Sequence, residues 1–475
     1  MRKEAMRSRC SYISVCFFVV CCFSGQDARC EEQPVEARSA IVNRMIEGID
    51  VEVESDNKFG FKQGYTPEGR ELGSDEKPFT ALRHEGFYTF YFPKRDWPEY
   101  KLFMHTWTRY KTSSAIAVED QQVESRSVDD FDARFQELFI SKGMMFNDPR
   151  FNVAVGLVEI EDEYGLFWGK SFEQIKLILD SSREKGFFGI GKQFSYYGIK
   201  ENELIDREKD IFNIVSKYEI NYSKKNWLGA KFHYQNDSSS SYEEEDPLDF
   251  DGYWFGVFGK GFVDTLAFGS LDYHAEFIWQ DGEYEYQPDS LATYEGDISS
   301  WAFFSEIGKI FSPENFVSRV AIRYGITDKP DSDSRSFFQT PMRTNQVKAT
   351  DTISYGLIGS AVSMELENAH FYSLLLQFEP ATRSTVDVQF ASIFNREEDS
   401  PFQPLTVDSS DIDTGSNHLG YSFNVRHKWI AYPFKLLGKR SNFIIRNNLA
   451  LFQPGDGLKS LDRTVAYVLS ISLDL

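Results

Sequence analysis

The chain ends in an alternating stretch, Thr464-Val-Ala-Tyr-Val-Leu-Ser-Ile-Ser-Leu-Asp-Leu475. Successive side chains of a strand point to opposite faces. One face therefore carries Tyr467, Leu469, Ile471, Leu473 and Leu475. An edge strand in water gains little from such an apolar face, whereas a barrel wall in lipid requires one apolar face and one face towards the lumen. The stretch predicts the closing strand of an outer-membrane barrel, with an edge strand of a soluble sandwich as the alternative.

The start of the chain indicates export. Basic residues precede an apolar run, Tyr12–Phe23, and the small residues Ser24 and Gly25 follow it. This is the pattern of a secretory signal peptide, and the run is too short to span a bilayer as a helix. We expect residues 1–28 to be a signal peptide that is removed, residues 29–48 a short periplasmic lead-in, and residues 49–475 the barrel.

The amino-acid composition restricts the class of protein further. Aromatic residues make up 16% of the chain, including 43 Phe and 24 Tyr, which fits the aromatic girdles of a barrel. All five cysteines lie at or before Cys30, so the mature chain has no disulfide framework and no cysteine metal site. The formal net charge of −22 argues against nucleic acid as a partner.

Runs of strand length follow one another through the rest of the chain. Lys101–Arg109, Tyr253–Val263 and Phe316–Ile326 are examples of the 9–11 residues that a tilted transmembrane strand needs. The pattern predicts an all-β, antiparallel up-and-down barrel of about 18 strands, an even number near 16–18. Tight turns such as Ser312–Asn315 are expected to be periplasmic. Four long acidic stretches are expected to be extracellular loops: residues 118–130, 236–249, 281–297 and 396–418.

Two late strands define candidate lumen residues. Alternation in Tyr421–Ile430 turns Ser422, Asn424, Arg426 and Lys428 inward, and alternation in Phe443–Phe452 does the same for Arg446 and Asn448. Neighbouring cations in a pore suit a carboxylate polymer, because a guanidinium group binds carboxylates in a bidentate manner. The equally weighted alternative is that these cations pair with luminal acids such as Asp387 and Glu379.

Four short motifs together resemble the alginate export family of outer-membrane barrels. They are Phe338-Gln-Thr340 with Asn345, Met364-Glu-Leu-Glu-Asn368 after Tyr355-Gly356, Leu451-Phe-Gln-Pro-Gly-Asp456, and Gln136-Glu-Leu-Phe-Ile140 followed by Val155-Gly156. The resemblance covers most of the mature sequence. It implies an 18-stranded monomeric barrel that exports an anionic, alginate-like polysaccharide or oligosaccharide through a basic lumen.

The family motifs also carry basic positions, and this chain departs from them. Gln346 replaces one arginine, with Arg343 and Lys348 nearby, and Gln136 replaces another, with Arg134 two residues before it. Asn448 replaces one of a pair of arginines, and Arg446 keeps the other. These departures favour, as an alternative function, a general or differently selective porin of the same family for small solutes.

Other functions find less support in the sequence. No nucleophile motif or convergent acid–base set indicates an enzyme, and no cofactor is expected. Asp411–His418 has oxygen ligands at alternate positions but lacks the closing acid of a calcium loop, so a solvated loop is the favoured interpretation. The second functional class that remains is an outer-membrane barrel enzyme or adhesin whose loops carry the function. Outer-membrane lipid and the barrel-insertion machinery are the expected partners of a monomer.

Overall fold

The structure, a computed structural model, describes residues 52–67, 72, 76–92, 99–111, 131–195, 197–198, 210–237, 248–265, 269–289, 292–312, 315–330, 335–347, 355–398, 404–405, 415–431, 434–436, 439–458 and 460–474. The predicted signal peptide and lead-in lie outside these residues. Within them, no helix has the length and apolar character to cross a membrane.

The described chain is almost entirely strand. The strands are β1 Glu52–Pro67, β2 Glu76–Phe92, β3 Tyr100–Lys111, β4 Phe131–Lys142, β5 Phe151–Glu161, β6 Gly169–Asp180, β7 Glu184–Lys192, β8 Ile211–Ser223, β9 Asn226–Asp237, β10 Leu248–Thr265, β11 Gly269–Asp289, β12 Ala292–Ile310, β13 Val317–Thr327, β14 Gln346–Val347, β15 Tyr355–Gly356, β16 Ala369–Ala381, β17 Ser384–Asn395, β18 His418–Ile430, β19 Phe434–Leu436, β20 Lys439–Pro454 and β21 Thr464–Asp474. Two short 3-10 turns, Met145–Asn147 and Asp456–Leu458, are the only helical elements in the described residues.

Eighteen of these strands form one closed antiparallel barrel. Each pairs with the next in chain order, and β21 pairs with β1 from Tyr65 opposite Tyr467 to Lys58 opposite Asp474. Of the remaining strands, β14 and β15 pair only with each other, and β19 extends the turn before β20. The predicted fold class, including closure by the C-terminal strand, is confirmed.

The two ends of the barrel differ in their connections. The connections β6–β7, β8–β9 and β16–β17 are tight turns at one end, where the first strand also begins and the last strand ends. The long connections, including those after β13 and β17, lie at the opposite end. In outer-membrane barrels short turns are periplasmic and long loops extracellular. We refer to these as the short-turn end and the long-loop end.

One predicted loop is wrong. Residues 281–297 were expected to form an extracellular loop, but most of them belong to β11 and β12, which stay paired from Asp281 opposite Ser299 to Asp289 opposite Ala292. The alternation of tyrosine with acidic residues here suits a strand pair that continues beyond the membrane. Tyr284 is buried inside this ribbon. Residues 118–130 lie outside the described residues, as do most of residues 236–249 and 396–418.

The outer face is the apolar one. On β21, Leu469 and Ile471 alternate with the inward-facing Ser470, which is buried. Large exposed side chains on other strands include Phe255 and Trp279. A closed barrel leaves no unpaired strand edge and can expose such a face only to lipid. The outer membrane is therefore the location of this barrel.

A charge on this outer face should block assembly. Ile471→Lys places a cation between Phe61 and Ile445, its register partners on the neighbouring strands. A lysine on the lipid face costs about 2–4 kcal/mol near the midplane. We expect much less folded protein in the outer membrane, measured by heat-modifiable gel mobility of membrane fractions. Asp474→Lys is the control, because position 474 faces the lumen. Equal assembly of both variants would contradict the assigned register.

Candidate functional site: the barrel lumen

The β5–β6 hairpin leaves the barrel wall halfway along its length. Pairing between β4 and β5 stops at Leu138 opposite Leu157, and pairing between β6 and β7 reaches only Gln174 opposite Gly191. Yet β5 and β6 stay paired with each other up to Glu161 opposite Gly169. The upper part of the hairpin thus has no described strand beside it in the wall. Most side chains at its tip, from Tyr164 to Trp168, are buried, so it folds into the lumen.

A short strap covers the opening that the hairpin leaves. Phe135 on β4 donates its backbone N–H to the carbonyl of Tyr197 at 3.0 Å, and Arg134 forms a bridge with Gly198. These residues follow β7, so the strap connects β7 to β4 past the inserted hairpin. Among the described residues, Tyr197 and Gly198 make the contacts that close the wall at this height.

Asp162 fixes the tip of the inserted hairpin. Its carboxylate accepts backbone N–H groups from Tyr164 at 2.9 Å and Phe167 at 2.8 Å, and two longer bonds come from Leu166 and Trp168. The Lys231 ammonium lies 3.5 Å from the same carboxylate and balances its charge.

A second inserted segment, described at residues 335–347 and 355–368 between β13 and β16, joins the hairpin inside the lumen. The backbone N–H groups of Thr344 and Asn345 both donate to the carbonyl of Gly165 at 3.0 Å. The amide of Gln339 donates to the carbonyl of Leu166 at 3.1 Å. Ion pairs of Arg335 with Glu367 and of Arg343 with Glu365 link the two halves of the segment.

The segment contacts the wall on two sides, at β10 and at β18, which lie six strands apart in the 18-strand barrel. On one side, Trp254 of β10 donates its indole N–H to the carbonyl of Phe338 at 2.8 Å. On the other side, Asn424 of β18 accepts the backbone N–H of Ser360 at 2.9 Å and donates to the carbonyl of Ile358 at 3.2 Å. The segment therefore crosses the lumen. Together with the hairpin it forms an apolar core that packs against the wall from β8 to β21.

Charges on the β8–β13 wall are paired with each other. The Lys231 ammonium lies 2.7 Å from a carboxylate oxygen of Glu276, and Lys260 lies 2.8 Å from Glu219. Arg319 contacts Glu306 at 2.6 Å, and Asp272 is also its partner. Cations and acids on this wall neutralise one another, so it contributes little net field to the lumen.

Positive charge gathers on the opposite wall, around Trp107 of β3. The guanidinium groups of Arg109 and Arg134 each lie 4.8 Å from its ring centroid, and that of Arg83 lies 5.5 Å away. Lys111 lies on the same inward face of β3. Glu85 pairs with Arg83, and Asp132 is the register partner of Arg109. We call Arg83, Arg109 and Arg134 the Trp107 cluster; its cations outnumber these acids.

The structure places the three cations predicted on late strands close together. Lys428 is the register partner of Arg446, and Arg426 is the register partner of Asn448, whose side-chain oxygen accepts its Nε–H at 3.2 Å. Arg446 donates to the hydroxyl of Ser472 at 2.9 Å. Asp387 is the register partner of Arg426 on β17, whereas Glu379 is exposed at the end of β16.

The polar residues predicted beside them hold the inserted segment. Asn424 binds residues 358 and 360 as described, Asn448 donates to the hydroxyl of Ser360 at 2.7 Å, and Ser422 accepts from Asn424 at 3.0 Å. These amides are occupied by the protein itself. Their predicted role in contacting a solute thus gives way to a role in fixing the segment.

The remaining predicted residues are spread around the lumen. Arg343 lies within the inserted segment, and Arg134 belongs to the Trp107 cluster. Gln136 is the extra residue of a bulge in β4, between Phe135 and Glu137. Gln346 is in β14, its side chain outside the described residues, as is Lys348. The motif resemblance does not bring them into one site.

Sequence reasoning missed Asp162 and most of the Trp107 cluster. Trp107, Arg109 and Lys111 alternate along one predicted strand, and this signal could have marked an inward basic face. Among the described residues no group of three or more His, Cys, Asp or Glu side chains could hold a metal ion. Asp411 and Asp413 of the weighed calcium loop lie outside the described residues.

Solved structures resemble the whole barrel. Acinetobacter baumannii OccAB1 superimposes with a TM-score of 0.54 at 10% identity, over 89% of this chain and 96% of that one. The fold is that of an outer-membrane porin barrel. Pseudomonas aeruginosa OpdK with vanillate gives 0.53 at 8% identity, and Pseudomonas aeruginosa OccK5 (OpdH) gives 0.51 at 10%; each match covers 89% of this chain and 98% of the other.

Sequence comparison adds no relative to these porin structures. No family model matches the chain, and no curated protein matches it. The similarity to porins therefore concerns the fold. The proposals below depend on the chemistry of this lumen.

Proposed function

We propose that this barrel is a porin that passes small anionic solutes across the outer membrane. The observation that carries the proposal is the Trp107 cluster, where three guanidinium groups surround one indole on the inward face of β2–β4. Low-dielectric walls focus such charges, so their field reaches into the lumen. Anions are the solutes that this field favours.

The inserted segment and the inserted hairpin support a small solute. They cross the lumen and pack an apolar core against one side of the wall. The space that they leave for a solute is narrower than the barrel. This geometry favours the general-porin alternative over export of an alginate-like polymer.

Ion selectivity tests this proposal. In planar bilayers under a salt gradient, the reversal potential should show preference for chloride over potassium, most clearly at low ionic strength. Replacing Arg83, Arg109 and Arg134 together by Gln should lower the anion preference several-fold, because the focused positive potential is lost.

A matched variant controls for net charge. Arg183, Lys224 and Lys225 are exposed in tight turns at the short-turn end, and replacing all three by Gln removes the same charge away from the Trp107 cluster. Selectivity should stay close to that of the unchanged protein. A cation-selective unchanged pore would overturn the proposal. Strong block of the current by polyuronate, rather than by small carboxylates, would support the polymer instead.

A further inference from the structure

One histidine lies where the tip of the inserted hairpin meets the barrel wall. His274 is on β11, and its side chain is only 5% exposed. Lys260 of β10 and Glu306 of β12 are its register partners. Its ring contacts that of Tyr164, in the hairpin tip, with the two centroids 4.3 Å apart. The imidazole is therefore buried between the hairpin and the wall.

The two ring nitrogens of His274 face carboxylates on different elements. Nε2 lies 3.2 Å from an oxygen of Glu276 on β11, and Nδ1 lies 4.0 Å from an oxygen of Glu163 in the hairpin tip. Glu276 is ion-paired with Lys231 and accepts a hydrogen bond from Nε2, so a neutral ring carries its proton there. Nδ1 then presents a lone pair to the Glu163 carboxylate, and it has no hydrogen-bond partner among the described residues.

The charged groups around His274 leave one negative charge in excess. Among the described residues the acids that face it are Asp162 and Glu163 in the hairpin tip, Glu219 on β8, Asp272 and Glu276 on β11, and Glu306 on β12. The cations are Lys217 on β8, Lys231 on β9, Lys260 on β10, and Arg319 and Arg323 on β13, and each of them already has a carboxylate partner. One proton on His274 balances this group of charges.

We propose that His274 is a proton-operated clamp, which fixes the hairpin tip to the wall at mildly acidic pH. Imidazole side chains gain their positive charge as the pH falls from about 8 to about 5. A proton on Nδ1 replaces the lone pair by a charge-assisted donor, and one ring then joins Glu163 on the hairpin to Glu276 on the wall. This contribution is present at low pH and is lost as the pH rises and the imidazole loses its proton. The clamp goes beyond the proposed anion channel, because it acts whichever solute passes.

The clamp acts on an element that narrows the lumen. Above Leu157 and Gln174 the hairpin has no described wall strand beside it, so contacts at its tip set its position. Some of these contacts, such as the hydrogen bonds to the carbonyl of Gly165, do not depend on charge. Asp, Glu, Lys and Arg side chains ordinarily keep their charges between about pH 5.5 and about pH 8. Within this range the contact that changes is the one made by His274.

Single-channel recordings at about pH 5.5 and about pH 8 test the clamp. The unchanged protein should carry a steady current at the lower pH. At the higher pH it should show several-fold more frequent transitions between current levels, because the hairpin tip has lost one charged contact. His274→Gln keeps a donor for Glu276 but cannot gain a charge, so it should show the frequent transitions at both pH values.

Two further variants make the test specific. His427→Gln is the matched control: this imidazole lies on the outward face of β18, 3.0 Å from the hydroxyl of Ser384, and its removal should leave the pH response intact. Glu163→Gln removes the carboxylate that faces Nδ1, while Lys260 keeps Glu219 as a partner at 2.8 Å. It should abolish the pH response in the same way as His274→Gln, and it decides the question if that variant does not fold.

Heat-modifiable mobility shows which variants fold. The same current behaviour of the unchanged protein at both pH values would overturn the proposal, and so would a full pH response in a folded His274→Gln or Glu163→Gln variant. The reversal potential is measured in the same recordings. A failure of the clamp is therefore distinguishable from a failure of the anion-channel proposal.

Discussion

Replacing residues 336–366 by a short Gly-Ser linker should raise single-channel conductance several-fold. This is the inserted segment that crosses the lumen from Trp254 to Asn424. Its removal leaves the β5–β6 hairpin as the remaining described obstruction. Conductance in planar bilayers measures the effect, and heat-modifiable mobility shows whether the barrel still forms. A conductance equal to that of the unchanged protein would mean that solutes do not pass beside this segment.

A milder variant keeps the prediction testable if the replacement does not fold. Asn424→Leu preserves approximate volume but removes the hydrogen bonds to Ile358 and Ser360. Conductance should then fluctuate between levels, because one anchor of the segment is lost. Asn447→Leu is the matched control: this outward-facing amide on β20 is opposite Leu469 and contacts Tyr467 at 3.3 Å. Its current should be as steady as that of the unchanged protein.

Lys231→Met should destabilise the barrel by about 3–5 kcal/mol, the usual cost of leaving a buried charge without its partner. The Lys231 ammonium is almost fully buried between Glu276 and Asp162. Both carboxylates would lose their cation, and the tip of the inserted hairpin would lose its contact with β9. Denaturant unfolding followed by tryptophan fluorescence measures the change.

Removing one orphaned charge should restore part of the loss. Glu276→Gln in the Lys231→Met background removes one of the two orphaned charges and leaves an amide that still accepts or donates hydrogen bonds. A double variant as unstable as Lys231→Met alone would show that packing, rather than the charge of Glu276, sets the cost. Lys225→Met, in an exposed turn, should change stability little.

The wall was predictable from the sequence because a barrel strand faces two different solvents. Lipid on one side and the lumen on the other impose an alternation that is readable residue by residue, as in β18 and β21. The inward direction of Ser422, Asn424 and Arg426 follows from it, and the structure places these residues there. The same alternation predicts the number of strands and the closure of the barrel.

The contents of the lumen were not predictable in the same way. Val158 and Ile160 alternate like any other wall strand, and nothing local shows that this strand leaves the wall. The contact from Gln339 to the carbonyl of Leu166 joins residues 173 positions apart. Such pairings depend on the whole barrel being formed. For this reason the sequence predicts that the amides of Asn424 and Asn448 contact a solute. In the structure they bind residues of the inserted segment.

Pairing of β1 with β21 has a consequence for how the protein is made. The seam joins the first described strand to the last, so it forms only after every other strand has been delivered. Until then the sheet has two open edges, each a template for pairing with another chain. Contacts between distant parts of a chain are also the slowest to form. A chain that stops early therefore loses the entire barrel rather than one strand of it.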